Sequence, residues 1–577
     1  MRNADIAAAF SELAERLAQT DTKPFRYLAY TKAAELFAQL PQSVQQLSER
    51  GELGELDGVG PAIVEKVAQL VETGTFPALE RARADVDDTL LALTRLPGVG
   101  PATARKIFAL LDGESFESLA ERAKLGTLEP APGLSAKVIA ALADHGAAGT
   151  SDATLSGVPT DAAGEPLPGP WILRDQALVL QEATAELLEG IADDPAASGA
   201  YVRGCELLRG VTVVATVDEL EPAAHALVER AEAGGWIRSD DGPLVPEPEP
   251  GLERLSATVS LIAPTGIPAH VVLATPQQRN RAESQAAGPI SWLPLSLSAD
   301  HANVPYELRE RVLAGLDPEL IPADLVTVAD LRGELHAHSD WSDGRATIIE
   351  MARGARERGD EYFLVTDHSA PYAMVGGLDD ARLLAQAKEI AAANATLAAE
   401  TRDEGAPAFR VLHGSEVEIL ADGRLGLADA TLERLDWVVA SIHVSQKQPA
   451  DKLLERMRLV MENPLVDAIG HPTSRRLLRR HRTALDVSAL IDLAVEHDVV
   501  LEVNSNPDRL DLDSEQAALA LSRGVRLTIN TDAHRVATLD YRHHGVAVAR
   551  RAGARVGDVV NCLPVEQLLA GRRRANR

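Results

Sequence analysis

The sequence predicts a multidomain α/β protein, all-α at the N-terminus, mixed in the middle, with a parallel barrel or sheet at the C-terminus. Three observations carry this. Six apolar runs in the second half each end in or beside a histidine, aspartate or glutamate. Stretches of helical periodicity, such as Thr347–Arg358 and Ala381–Glu400, alternate with those runs, the pattern of parallel strands whose C-termini share one face. Near the N-terminus, glycine-rich turns recur between helical patterns.

The first apolar run is LRGELHAHSDWSDG, Leu331–Gly344. Strand alternation puts His336 and His338 on one face, so both imidazoles can reach one ion, with Asp343 close behind. YFLVTDHS then brings His368, FRVLHGSEVEI Glu416, LDWVVASIHV His443, LVDAIGHP His471, and VRLTINTDAH Asp532 and His534. Any one of these histidines reads as an ordinary buried or exposed side chain. The set does not, because only 15 of 577 residues are histidine and they recur at the same place. A His/Asp/Glu cluster without cysteine suits Zn²⁺, Mn²⁺ or Fe²⁺. Nine ligands exceed one ion and fit two or three, the arrangement that clamps both oxygens of a phosphoryl displacement.

The N-terminal elements follow in order. Ile6, Phe10, Leu13 and Leu17 recur at helical spacing, and a second helical run spans Phe25 to Leu40. Next, GELGELDGVGPAIVEKVAQLVETG (Gly51–Gly74) sets Leu-x-Gly-Val-Gly between helical patterns, a helix-hairpin-helix signature. Its glycines let the hairpin backbone approach a phosphate held by amides at the second helix's N-terminus. The motif returns as LTRLPGVGPATARKIFALL (Leu93–Leu111) and faintly as LEPAPGLSAKVIAAL. Gly58, Gly60, Gly98 and Gly100 are thus candidate DNA-backbone contacts, made without reading sequence.

HAHSDWSDG, TDHS, GSEVEI, SIH, GHPTSR, NSNPDRLDL and NTDAH together resemble the PHP (polymerase and histidinol phosphatase) domain, in the version fused to bacterial family X DNA polymerases. The resemblance implies a distorted (β/α) barrel from 331 to 577, reached through a connector at 311–330. It also implies a helix-hairpin-helix domain over 1–145, a Gly/Pro/Ala-rich linker at 146–170 and an α+β nucleotidyltransferase palm over 171–310. Glu418 departs from the aspartate usual in those relatives and keeps the carboxylate. The family's ligands carry over as three sets: His336, His338, Glu416 and Asp532; Glu416 again with His443 and His471; Asp343, His368 and His534. Glu416, His338, Asp532 and Arg509 would serve the chemistry. Asp367 reads either as an orienter of an imidazole or as a helix cap, and Arg509 and Asp511 as cleft residues. Arg475 and Arg476, in a run continuing through Arg479, Arg480 and Arg482, read as a grip on the DNA backbone, against the alternative of a salt-bridged helix face. Lys66 stands where some relatives carry a lyase lysine, and reads more simply as a solvated lysine.

By the same resemblance the palm reads as degenerate. Family X palms carry two aspartates one residue apart and a third on a later strand; GAYVRGCELLRGVTVVAT keeps Arg203, Gly204 and Glu206 in register, but Gly210 and Thr212 stand at the first two positions, and Pro268 or Ala269 at the third. Nucleotidyl transfer needs those carboxylates to hold its two Mg²⁺ ions. Asp218, Glu219 and Glu221 follow the strand and read as a charged turn. The resemblance therefore implies a 3′-directed phosphoesterase in DNA repair: a 3′–5′ exonuclease, with 3′-phosphatase or abasic-site cleavage as related activities. A working gap-filling polymerase, a small-molecule phosphatase and a non-enzymatic DNA-binding scaffold are the alternatives.

Composition bounds these readings. Cys205 and Cys562 are too few for a disulfide framework or a thiolate metal site. MRNADIAAAFSEL lacks the apolar core of a signal peptide, and no apolar run reaches membrane-spanning length, so a cytoplasmic, nucleoid-associated protein is expected. A net charge of −29 argues against a generic nucleic-acid binder. Binding to DNA should accordingly be weak and strongly salt-dependent. Oligomeric state is not legible.

Overall fold

The computed structural model of the chain describes every residue except 2, 21–23, 41, 57, 95–100, 111–115, 126, 129–137, 140, 141, 143–169, 240–255, 287–304, 309–320, 371–374, 405–407 and 574–577. The apolar spacing of the N-terminus forms the helix Asn3–Thr20, which buries Ile6, Phe10 and Leu13 on one face. Phe10 meets Phe37 edge-on at 5.4 Å between ring centroids and Phe76 at 5.5 Å. In the first hairpin Gly60 caps the helix Pro61–Thr73, with Pro61 fitting the first turn because its missing N–H would be unpaired there. The second hairpin's helix, Pro101–Leu110, is present, while Gly98, Gly100 and all but the last residue of the linker expected at 146–170 lie outside the described residues.

The middle of the chain holds strands β1 (Ile172–Leu173), β2 (Asp193–Ser198), β3 (Leu207–Leu208), β4 (Val211–Thr216), β5 (Ile237–Arg238), β6 (Ser256–Ile262) and β7 (Pro268–Ala274). Five of them form a mixed sheet in the order β2-β4-β7-β6-β5. Alternation decides its faces: Ala257, Val259 and Leu261 on β6 and Ala269, Val271 and Leu273 on β7 are all buried. Asp218 and Glu219 lie between β4 and the helix Leu220–Ala233, whose first turn holds Glu221, so these acids follow the strand, and Glu221 belongs to the helix rather than to a turn.

Seven parallel strands build the C-terminal barrel: β8 (Gly333–Glu334), β9 (Tyr362–Val365), β10 (Arg410–Glu418), β11 (Trp437–Ser441), β12 (Ala468–Ile469), β13 (Val500–Asn504) and β14 (Leu527–Asn530). They pair in sequence order, each with the next. The intervening helices have legible starts. Thr347 caps Ile348–Glu357 in a reciprocal box with Glu350. Between the first and last strands the ladder continues as one bridge, Ala337 with Ala533, where the Asp532 amide donates to the His336 carbonyl at 2.9 Å and the His338 amide to that of Ala533 at 2.8 Å. The barrel is thus nearly closed, as the alternation of runs and helices predicts.

Candidate metal centre

Six strand ends deliver nine side chains to one face of the barrel. Glu416, 1% exposed, stands at their middle. Its Oε1 lies 2.9 Å from His471 Nε2 and 3.3 Å from His443 Nε2. Its Oε2 lies 2.9 Å from His368 Nδ1, 3.4 Å from His336 Nε2 and 3.6 Å from His338 Nε2. Asp532 Oδ1 is 3.1 Å from His338 Nε2. Asp343 faces His534 at 3.3 Å and His368 at 3.7 Å.

The ligand atoms fall into four overlapping groups, each within 4.8 Å: His338, Asp343, His368 and His534; His336, His338 and Asp532; His336, Glu416 and His471; His368, Glu416 and His443. All nine expected residues come together, but the boundaries between sets differ from those expected. His336, His338 and His368 each stand between two groups, so the imidazoles form a continuous array around Glu416.

Several of these atoms are buried and unpaired. His336 Nε2, His338 Nδ1, both nitrogens of His471 and both oxygens of Glu416 have no hydrogen-bond partner; the 2.9 Å approach of His471 to Glu416 lacks hydrogen-bond alignment. Leaving such groups unmatched costs about 1–3 kcal/mol each, whereas a divalent cation at their centre would satisfy them together. The residues fit metal ions.

The electrostatics have the same origin. Burial disfavours the Glu416 carboxylate, yet the imidazoles of His443, His368 and His336 hold it well below the usual range. Asp532 is likewise held low against burial, by His336, His338 and Arg509. Burial brings His338 and His471 down to about 4, leaving both neutral at pH 7, as ligands must be.

Behind these residues lies a second layer, in which sequence reading missed Glu502 and noted Glu418 only as a kept carboxylate. Glu502, fully buried on β13, accepts from His336 Nδ1 at 2.7 Å and from the His471 amide at 2.6 Å. Glu418 accepts from His443 Nδ1 at 2.9 Å and from the amides of His443 and Val444. Each leaves the ring's Nε2 facing Glu416, the orientation a ligand needs. A signal for Glu502 was available: in LEVNS an acid sits inside an otherwise apolar run, where only a partnered charge survives. His471 and Asp532 adopt left-handed φ values of 26° and 52°, a conformation such residues keep only where surroundings impose it.

Three expectations need correction. Asp367 neither orients an imidazole nor caps a helix; it accepts from the Ser339 amide at 2.9 Å, from the Ser339 and Ser342 hydroxyls and from Gln386, fixing the loop that presents Asp343. Asp511 does not line the cleft; it is fully buried and accepts from the Thr473 amide at 3.0 Å. Arg475 is not a DNA-facing cation: it is 7% exposed and paired with Glu206, and the segment around it is a turn rather than a helix. Arg476 does reach the cleft, though its guanidinium pairs with Asp508.

That cleft, about 700 Å³, has the ligand array as its floor. Arg345, Arg476, Arg479, Arg509 and Arg535 line it, as do Leu173, Asp175 and Gln176 from the middle domain. Arg509 Nε lies 3.3 Å from Asp532 Oδ2.

A near-closed parallel barrel that gathers histidines and carboxylates at its strand ends, following helical hairpins and a mixed sheet, defines a PHP-type protein joined to a polymerase-like body. Residues 1–76 match the helix-hairpin-helix domain family, and residues 51–109 and 91–145 match the SAM-like helix-hairpin-helix tandem. The chain is 30% identical over 598 residues to the DNA polymerase/3′–5′ exonuclease PolX of Bacillus subtilis (strain 168), covering 99% of each, and it belongs to that family. It also resembles probable phosphatases of Vibrio atlanticus (28% over 222 residues, 36% of this chain and 79% of that one) and of Acetivibrio thermocellus (28% over 215 residues, 35% and 78%).

Proposed function

We propose that the barrel is a metal-dependent phosphoesterase acting on DNA 3′ ends, a 3′–5′ exonuclease in DNA repair, and that the palm-like domain does not polymerise. The observation that carries this is Glu416 amid five imidazoles, with both its oxygens unpaired, on the floor of an arginine-lined cleft. The array would hold two or three divalent ions, Mn²⁺ or Zn²⁺ ahead of Fe²⁺. When bound, they would supply Lewis-acid polarisation of a phosphate and make a water easier to deprotonate near neutral pH.

The chain's own residues complete the site. Arg509, beside Asp532, offers a fixed cation where a phosphate oxygen would gain charge. Arg345, Arg479 and Arg535 add further cations to the lining, suiting a polyanion on a protein otherwise strongly negative. Helix termini such as the one at Gly60 would hold the duplex backbone without reading its sequence. A cytoplasmic, nucleoid-associated location fits this substrate, and no helix among the described residues is long and apolar enough to cross a membrane.

The inactive palm rests on sterics as well as chemistry. Neither β4 nor β7 carries a carboxylate. A Cβ at Gly210 would lie 2.5 Å from the Pro268 carbonyl oxygen, so an aspartate there could not fit without moving β7. Arg279 donates to the Thr216 hydroxyl at 3.0 Å and to the Asp194 carbonyl at 2.6 Å, tying the far ends of β4 and β2 together.

The test is a 5′-labelled primer on a gapped template with Mn²⁺ and all four nucleotides. Shortening without extension is expected. Template-dependent extension by the His338→Ala variant would overturn the inactive-palm reading. The likeness to probable phosphatases favours a second reading, a small-molecule phosphomonoesterase. Hydrolysis of nitrophenyl phosphate with no action on DNA would establish it.

A further inference from the structure

Arg475 stands where the barrel meets the palm-like domain. Its Nη2 lies 2.9 Å from Glu206 Oε1 of that domain. On the barrel side, Nε donates to the Arg509 carbonyl at 2.8 Å and Nη2 to the Leu510 carbonyl. A guanidinium presents its donors in a rigid fork. Here the fork joins a carboxylate of one domain to two consecutive carbonyls of the segment that presents Arg509 to the cleft. That segment needs holding, because Leu510 has φ +44°, a value a leucine keeps only where its surroundings fix it.

Glu206 is itself anchored. The turn before it gives the carbonyls of Tyr201 and Cys205 to Arg174, each at 3.0 Å, and Arg174 Nε lies 3.3 Å from His544 Nδ1 in the barrel. Gly204 passes so near the helix Arg542–Ala552 that a Cβ there would lie 3.1 Å from the Ala547 carbonyl oxygen. The turn leading to the glutamate is therefore held against one helix of the barrel, Arg542–Ala552.

We propose that the palm-like domain serves as a positioning element for the barrel's centre: the turn Gly199–Glu206 acts through Arg475 to hold Arg509 beside Asp532. The geometry stands by itself, and its kinetic consequence rests on the phosphoesterase reading. Glu206 is a positioning residue, not a catalytic one.

The test uses the full chain and Glu206→Gln, which removes the charge and keeps the shape. The amides of Arg509 and Leu510 donate to the Asn506 carbonyl and that of Leu512 to the Glu502 carbonyl on β13, so hydrogen–deuterium exchange reports on this segment. Their exchange should quicken about tenfold or more, as expected when a buried ion pair loses one partner, while strands β9 to β11 keep their protection. Hydrolysis should lose kcat rather than gain KM, because the cation is misplaced and the cleft is intact. Glu206→Asp, which keeps the charge one methylene back, should recover most of the protection and rate; should the glutamine variant not fold, Arg475→Lys provides the same exchange measurement.

Unchanged exchange at 509–512 in the folded variant overturns the proposal, whatever the activity. Faster exchange there, in a protein whose wild type hydrolyses neither DNA nor a nitrophenyl phosphodiester, keeps the positioning role and removes the phosphoesterase reading instead.

Discussion

Glu502 Oε1 lies 2.7 Å from His336 Nδ1 at the centre of the barrel, where both side chains are wholly buried. The carboxylate raises the ring's basicity and, with an ion bound, would keep the proton on Nδ1 and leave the Nε2 lone pair free on the side of Glu416. Glu502→Gln keeps the shape and removes the charge. Affinity for Mn²⁺, measured by titration calorimetry, should fall by about 10- to 100-fold; an unchanged affinity would exclude this role.

Glu416→Ala should do more damage than loss of any single histidine, because both oxygens of that residue serve separate groups of imidazoles. Metal analysis after reconstitution should find more than one ion per wild-type chain and fewer in the variant, with hydrolysis abolished. A wild-type stoichiometry below one would contradict the multi-ion reading.

The metal-free protein should lose stability as pH rises from about 6.5 to 9. Burial opposes charge on His443 and His534, but the carboxylates of Glu416 and Glu418 around one and of Asp343 and Asp532 around the other lift both to about 9. Unfolded, each titrates at about 6.5. Their contribution is therefore complete below about 6.5 and lost as pH climbs through about 9. Metal binding requires the neutral rings, so affinity should rise over the same window. Thermal melts of chelated protein at three pH values in this range check the first trend, and Mn²⁺ titrations the second.

The two glycines of the first hairpin should respond differently to substitution. Gly58 has φ +83°, so Gly58→Ala strains the turn and should cost about 1 kcal/mol of stability. Gly60 has φ −83° and nothing within 4 Å of a built Cβ, so Gly60→Val should leave stability nearly unchanged and weaken DNA binding to all sequences alike. Fluorescence anisotropy on two unrelated duplexes at several salt concentrations separates the two effects. Binding untouched by Gly60→Val would remove this hairpin from the interface.

The barrel and the meeting of its candidate ligands were legible because strand C-termini in a parallel fold point one way, so residues spread from His336 to His534 had to meet. What stayed hidden depends on contacts between distant segments. Nothing local in GHPTSRR tells that Arg475 turns inward to a glutamate 269 positions earlier while Arg476 reaches the cleft. The allocation of imidazoles among ions was hidden for a related reason: ring positions 4–6 Å apart are set by packing, not by order in the chain. Glycine requirements likewise could not be divided from sequence, since Gly58 and Gly60 share one motif and only one has positive φ.

The bridge between Ala337 and Ala533 joins the first and last strands, and it is flanked by His336, His338, Asp532 and His534. The seam of the barrel and the ligand array are consequently the same piece of backbone. Loading an ion would staple the cylinder shut, and chelation would leave its weakest joint unsupported, so local opening should begin there rather than at the β9–β10–β11 wall. On the multi-ion reading, assembling the metal centre and finishing the fold would become one reversible step, with the supply of free divalent metal deciding how much of the population is sealed.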